Sequence, residues 1–236
     1  MSIIEVIKSI LRSKPSVSPD NFSVRDLLLQ ITLEDALQHL EGREGLTVSV
    51  TDLTSCSQKY HFRLKYPELL ITQSYYPALI NGRVMHRGIQ EILLDRFFDF
   101  IQVEVPVEKS LNIPGSDGMP RIVKVSGRVD ALLADDTVIE FKTSRSDHET
   151  PLEHHVLQLR IYLNMTGRRR GLLVYLTPER ITEYWITNPL SDEELQQLVR
   201  ETLNNERHPR WSWECSYCPF SIICPHKKIN TTKRGR

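Results

Sequence analysis

Asp130, Glu140 and Lys142 are the first residues whose types and spacing suggest chemistry. Val129, Ala131 and Leu133 alternate with polar residues, as do Ile139 and Phe141, and this period of two predicts a pair of strands. A three-residue loop at Ala134–Asp136 pairs Asp130 with Glu140 and Val129 with Phe141, gathering the apolar residues on one face. A two-residue loop would shift the register by one and set apolar residues opposite charged ones. Two carboxylates and a lysine therefore converge on one surface. Like charges directly opposite destabilise a strand pair, so the arrangement makes sense around a divalent cation, and hard oxygen ligands suit magnesium or manganese. With Lys142 to orient or activate a water, these are the parts for metal-assisted phosphodiester hydrolysis. A surface ion-pair hairpin would carry the same short motif.

Two further elements bear on that choice. His86 lies in a predicted helix and offers an imidazole as a third ligand for manganese, although a lone helical histidine also serves packing. Gln158 and Tyr162 are four apart, on one face of a later helix, where they can hold a phosphate, the attacking water or the lysine. Such a pair is also what a half-exposed helix face looks like.

The four cysteines are unevenly placed: Cys215, Cys218 and Cys224 form C-x2-C-x5-C, and Cys56 is far upstream. A reducing compartment disfavours disulfides for such a set. One knuckle, one trailing cysteine and one remote cysteine suit a four-thiolate iron–sulfur cluster, 4Fe-4S in preference to 2Fe-2S, stapling the two ends of a domain. Pro219 and Pro225 directly follow two of the ligands and fit a tight wrap. A zinc site with Cys215, Cys218, Cys224 and either Cys56 or His226 remains open, as do buried unligated thiols.

The elements that must position these groups read as follows. Ile3, Ile4, Ile7, Ile10 and Leu11 have helical spacing, residues 13–19 are a linker, and a second helix runs from about Ser23 to Leu40. A helix from Val48 to Tyr66 carries Cys56, with Thr51 as its cap, and another spans Pro77 to Phe98. Strands begin at Ile101 and at Val123, and a shorter one covers Thr137–Thr143. Thr150-Pro151-Leu152-Glu153 reads as cap, first-turn proline and capping-box acid of a helix ending at Gly167. Strands at about Gly171–Leu176 and Ile181–Thr187 precede a helix at Asp192–Arg207. There is no internal repeat and no Walker phosphate loop.

The 236 residues suffice for one core with appendages, and 40% hydrophobic with 25% charged residues is a globular composition. Lys+Arg and Asp+Glu balance at 30 each, so binding of a polyanion must come from local patches such as Arg168–Arg170 and the basic tail. Glu5 and Lys8 interrupt the N-terminal apolar run, which argues against a membrane span or signal peptide and for a cytoplasmic location.

His86, Asp130, Glu140-Phe141-Lys142 and Gln158…Tyr162, in this order, resemble the PD-(D/E)XK nucleases of the RecB type. The cysteine frame resembles more narrowly the CRISPR-associated RecB-like exonucleases. The resemblance covers roughly residues 48–226. It implies an α/β, restriction-endonuclease-like core with a mixed central sheet flanked by helices. To this are added a helical extension over residues 1–45, which the family core does not match, a cysteine segment at 209–228 and a basic tail at 229–236, leaving 46–208 as the nuclease core. It implies that His86, Asp130, Glu140 and the carbonyl of Phe141 bind the metal, that Lys142 is the catalytic lysine, and that Gln158 and Tyr162 position substrate or water. Cys56, Cys215, Cys218 and Cys224 would hold an iron–sulfur cluster. The implied activity is cleavage of single-stranded DNA, from the 5′ end and also internally, in CRISPR spacer acquisition with integrase proteins; a homo-oligomer is compatible. A repair nuclease working with a separate helicase, or a non-catalytic DNA-binding adaptor, would fit the same scaffold.

Overall fold

The computed structural model describes residues 5, 23–38, 45–115, 119–146 and 148–228. The first helical pattern and the basic tail at 229–236 lie outside the described residues, Glu5 apart. In chain order the elements are α1 (Val24–Gln38), β1 (Thr47–Ser49), α2 (Val50–Leu53), α3 (Ser57–Lys65), a 3-10 segment (Pro67–Tyr75), α4 (Pro77–Phe97), β2 (Ile101–Pro114), β3 (Pro120–Leu133), β4 (Val138–Thr143), α5 (Glu153–Thr166), β5 (Gly171–Leu176), β6 (Ile181–Ile186), α6 (Asp192–Leu203) and a 3-10 turn (Glu214–Ser216).

β3 organises the sheet. One of its edges pairs antiparallel with β2 from Pro114↔Pro120 to Ile101↔Leu133, interrupted at Glu104 and Asp130. Its other edge is shared: β1 runs parallel at Lys124–Ser126, and β4 pairs antiparallel at Ala131↔Ile139 and Leu132↔Val138. Between these two partners, residues 127–130 of β3 pair with neither strand. β4 continues parallel to β5, across the α5 crossover, and β5 pairs antiparallel with β6. Pro106 is tolerated because β2 pairs on one side only. The result is a mixed sheet between helices, as expected for the fold class.

One face of the sheet buries Val48, Val125, Val138, Leu173 and Tyr175 beneath α5 and α6, with Leu159, Leu163, Leu195 and Val199 completing the larger core. The other face buries Ala131, Ile139, Phe141 and Val174 against Ile89, Leu93 and Leu94 of α4. Each residue of such a core contributes roughly 1.5–3 kcal/mol when fully buried, so the two clusters fix the sheet that carries the polar residues.

Several expectations are corrected. The helix expected over Val48–Tyr66 is three elements. Ser49, not Thr51, caps α2 in a capping box with Asp52, and the chain breaks at Cys56 before α3. α5 begins at Glu153 after Leu152, with no side-chain cap, and the hydroxyl of Thr150 pairs with Tyr184 Oη at 2.8 Å instead of capping the helix. Its end at Gly167, with φ 68°, is as read. α6 stops at Leu203, four residues short of the expected Arg207. Arg168 and Arg170 are not a free cationic patch, since they pair with Asp136 and Asp135 of the β3–β4 loop. Among the described residues no helix is long and apolar enough to cross a membrane.

Candidate active site

The unpaired stretch of β3 is where the polar residues meet. The loop register is as read: Leu133 N–H donates to the Thr137 carbonyl at 3.0 Å, and Asp136 turns the chain with φ 70°. Continued by two residues, that ladder would send the Phe141 N–H to the carbonyl of Val129. Instead it donates to Oδ2 of Asp130 at 2.8 Å. The expected Asp130–Glu140 pairing therefore does not form, because the Asp130 side chain takes the place of main chain and the strands part. Val129 also departs from its expected face: it joins the α5 side, whereas Ala131 and Phe141 pack under α4. The β2–β3 ladder skips Glu104 and Asp130 at the same level, and Glu104 has φ 54°. A left-handed non-glycine residue costs about 1–2 kcal/mol, so strain is stored beside Asp130.

Glu140 points to the α5 side and is 2% exposed. Its Oε1 accepts from Lys142 Nζ at 2.7 Å and from Gln158 Nε2 at 2.7 Å, and Lys142 also donates to Gln158 Oε1 at 2.9 Å. The i, i+4 face of α5 thus delivers Gln158 to the carboxylate–lysine pair, while Tyr162 lies one turn on, its Oη accepting the Arg128 N–H at 3.4 Å. Gly127 makes this approach possible, since a Cβ there would lie 2.6 Å from Tyr162 Cε1. Burial pushes the Tyr162 phenol well above its usual pKa, so it stays protonated. From α4, the His86 ring stands edge-on to Phe141 with centroids 6.2 Å apart, and its Nδ1 is 3.6 Å from Asp130 Oδ2. The Asp130 carboxylate holds the His86 pKa above its ordinary value against the effect of burial.

The structure thus brings together His86, Asp130, Glu140, Lys142 and Gln158, with Tyr162 and Phe141 as their supports. Gln90 and Glu104 escaped the sequence reading. Gln90, one turn beyond His86 on α4, donates to Glu104 Oε1 at 2.6 Å and to the Asp130 carbonyl at 3.3 Å. Its place four residues after His86 was the available signal.

Among the described residues no three carboxylate, imidazole or thiol groups stand close enough, as placed, to chelate one ion. The donor chemistry nonetheless fits a hard divalent cation. Glu140 Oε2 is buried without a hydrogen-bond partner among the described residues, and burial raises the Glu140 pKa to about 7. An orphaned carboxylate oxygen in a low-dielectric site lacks a positive charge. Asp130 and His86 flank it; the two carboxylates suit magnesium or manganese, and the imidazole favours manganese of the two.

At the other end of α5, Cys56, Cys215, Cys218 and Cys224 line one cavity of about 260 Å³. Main chain joins the two segments. Glu214 accepts the N–H groups of Cys56, Arg210 and Trp211 at 2.8, 2.9 and 2.9 Å. Ser57 N–H donates to the Arg207 carbonyl while Ser57 Oγ accepts the Arg207 N–H, and Trp211 Nε1 donates to the Thr54 carbonyl at 2.7 Å. Burial lifts the Cys56 thiol to about 11. A positively charged centre is needed before such a thiol ionises, and His226 lines the same cavity.

The model of the PD-(D/E)XK nuclease superfamily matches residues 93–225. The CRISPR-associated exonuclease Cas4 of Saccharolobus solfataricus is 39% identical over 208 residues, 86% of this chain and 98% of that protein. The crystal structure of SSO0001 superposes with a TM-score of 0.81 at 39% identity, covering 88% of this chain and 98% of that one. LHK-Exo in complex with dAMP is more distant, at 16% identity and a TM-score of 0.41 over 67% of this chain and 85% of that one. The chain belongs to the PD-(D/E)XK nuclease superfamily and, within it, to the CRISPR-associated RecB-like exonucleases.

Proposed function

We propose that the protein hydrolyses phosphodiester bonds of single-stranded DNA, with a divalent cation held by His86, Asp130, Glu140 and the carbonyl of Phe141. The buried, unpartnered Oε2 of Glu140, beside a lysine already bridging to Gln158, carries this reading. Bound there, the cation supplies Lewis-acid polarisation of a phosphoryl oxygen and an acidified water. Lys142, tethered between Glu140 and Gln158, aims its ammonium at the attacking water or at the charge developing on the phosphate. Gln158 fixes the lysine's rotamer, and Tyr162, protonated and packed on Gly127, braces the strand that carries Asp130.

The finer reading is 5′ to 3′ exonuclease action with some internal cleavage, serving CRISPR spacer acquisition beside integrase proteins. It draws on the family and on the name of the Saccharolobus relative. Digestion of single-stranded DNA labelled separately at each end, with manganese and with chelator, tests it. Manganese-dependent loss of the 5′ label first is the expected result, absent in Asp130→Ala. Absence of cleavage from folded, metal-loaded protein would favour the non-catalytic adaptor.

The convergence of four thiols on one cavity supports an iron–sulfur cluster, 4Fe-4S, at Cys56, Cys215, Cys218 and Cys224. The anaerobically purified protein should be brown and contain iron and sulfide, and Cys218→Ala should lose both. Colourless wild-type protein containing zinc would replace the cluster by the zinc alternative.

A further inference from the structure

Four rings lead from the catalytic gap to the surface. His155 and His154 lie in the first turn of α5, one turn before Gln158. Ring centroids are 4.0 Å apart between His155 and His154, 4.8 Å between His154 and Trp213, and 6.4 Å between Trp213 and Tyr217. All four rings, and Gln158, line the same cavity as the thiols. The inner end is anchored by His155 Nδ1, 2.8 Å from Tyr175 Oη. The outer end is open, with Trp213 40% and Tyr217 66% exposed. The hydrolytic residues do not use these rings, and the exposed tryptophan and tyrosine present large amphipathic faces of the kind enriched at interfaces.

The charge of the wall narrows what that partner is. Its cations are Lys59 and Lys227, and its one carboxylate, Glu214, is already occupied by three main-chain N–H groups. Burial lowers the His154 pKa to about 4, so this ring presents a neutral π face at physiological pH. Neutral rings in tilted and edge contact with one another, the outer two with exposed faces, beside cations are the composition that binds single-stranded nucleic acid, whose bases each offer a π face whatever their identity. A duplex keeps its bases stacked on one another and leaves such rings unused.

We propose that His154, Trp213 and Tyr217 form a stacking platform for unpaired bases of the DNA strand whose backbone enters the gap between β3 and β4. The proposal rests on the single-stranded DNA reading above and adds the surface that selects an unpaired strand. Because Trp213 and Tyr217 alternate in sequence with Cys215 and Cys218, the group bound by the thiols also sets where the outer rings stand. The cysteine segment thereby becomes part of the substrate site.

Fluorescence anisotropy in chelator, with the full-length protein, tests it. Two labelled strands of equal length and charge are compared, oligothymidylate and an abasic deoxyribose-phosphate chain. Wild type is expected to prefer the base-bearing strand by about tenfold or more, following the known worth of one stacked base. Trp213→Ala should abolish most of that preference and Trp213→Phe should keep it. The salt dependence, which reports phosphate contacts, should be the same for both strands. If Trp213→Ala fails to fold, Tyr217→Ala at its exposed position gives the reading. Equal wild-type affinity for both strands would overturn the platform while leaving a DNA-binding nuclease. Binding of neither strand would overturn the DNA reading as well. An unchanged preference in both ring variants, with an altered sedimentation coefficient, would assign the rings to protein contact and overturn the proposal.

Discussion

In the gap between β3 and β4 the buried Glu140 is held through one oxygen by side chains and its other oxygen is left unmatched, whereas at the cysteine end the buried Glu214 is held by main chain through both oxygens. Asp130 breaks a strand ladder to hold the Phe141 N–H, next to a left-handed Glu104. Glu214, by contrast, uses both oxygens on three N–H groups that tie residues 56, 210 and 211 together. A fold retains unmet electrostatic demand where a ligand or transition state will meet it. Where demand is met internally, the region holds the chain together.

That contrast predicts opposite outcomes for two acidic substitutions. Asp130→Ala should reduce cleavage of single-stranded DNA by about 10³-fold or more, on the scale of a single electrostatic group in catalysis. DNA affinity measured in chelator should stay near wild type. Equal loss of binding would mean that Asp130 is a scaffold residue and would erase the contrast. Glu214→Ala should do the reverse. Three N–H donors lose their acceptor, at about 1–3 kcal/mol for each group left buried and unsatisfied. The melting temperature should fall by more than ten degrees, with release of whatever the thiols hold.

Much of the candidate site was legible because its determinants are local. The period-two pattern and the three-residue loop fix the register at Ala131↔Ile139, and that register sets Glu140 and Lys142 on one face. The i, i+4 spacing then brings Gln158 to them. What the pattern could not give is the parting of the strands. It depends on Asp130 competing with its own main chain, on Gly127 admitting Tyr162, and on β1 and β4 sharing one edge of β3. The first is a competition between side chain and main chain within one hairpin, which a polarity pattern does not rank, and the other two bring together residues far apart in sequence. The break at Cys56 was illegible for the same reason: the chain there is held by Glu214, 158 residues away. Cysteine spacing announced that the ends meet, but not the carboxylate that joins them or the rings beside it.

A third substitution sharpens the comparison, because in the gap function and stability should oppose each other. Burial raises the Glu140 pKa to about 7, above the roughly 4.3 of an unfolded glutamate. The folded state therefore binds the proton more tightly, and this group's contribution is most favourable below pH 4.3. It is lost as pH rises from there to about 7. At pH 8 without metal, Glu140→Gln should stabilise the protein by roughly 1–3 kcal/mol while abolishing cleavage. The melting gain should shrink as pH falls to 5. A loss of stability at pH 8 would show that the ionised carboxylate is fully paid for by Lys142 and Gln158.

The smallest effect is expected at Gln90, which belongs to neither extreme. It is 5% exposed, and it ties Glu104 to the main chain of Asp130 without touching the carboxylate itself. Gln90→Leu keeps the volume and removes the tether, so the core under α4 should tolerate it. Asp130 should become less well aimed, and groups that orient a metal ligand typically govern 10–100-fold in affinity. Manganese affinity, measured by titration calorimetry, should fall by about tenfold, the low end of that range, with the melting temperature in chelator shifted by only a few degrees. Gln90→Glu, which sets a second carboxylate against Glu104, should be worse than leucine if the tether acts through aim and charge. If leucine and glutamate lower the melting temperature alike and leave manganese affinity unchanged, Gln90 is core packing, and the strained Glu104 beside it has no part in holding Asp130.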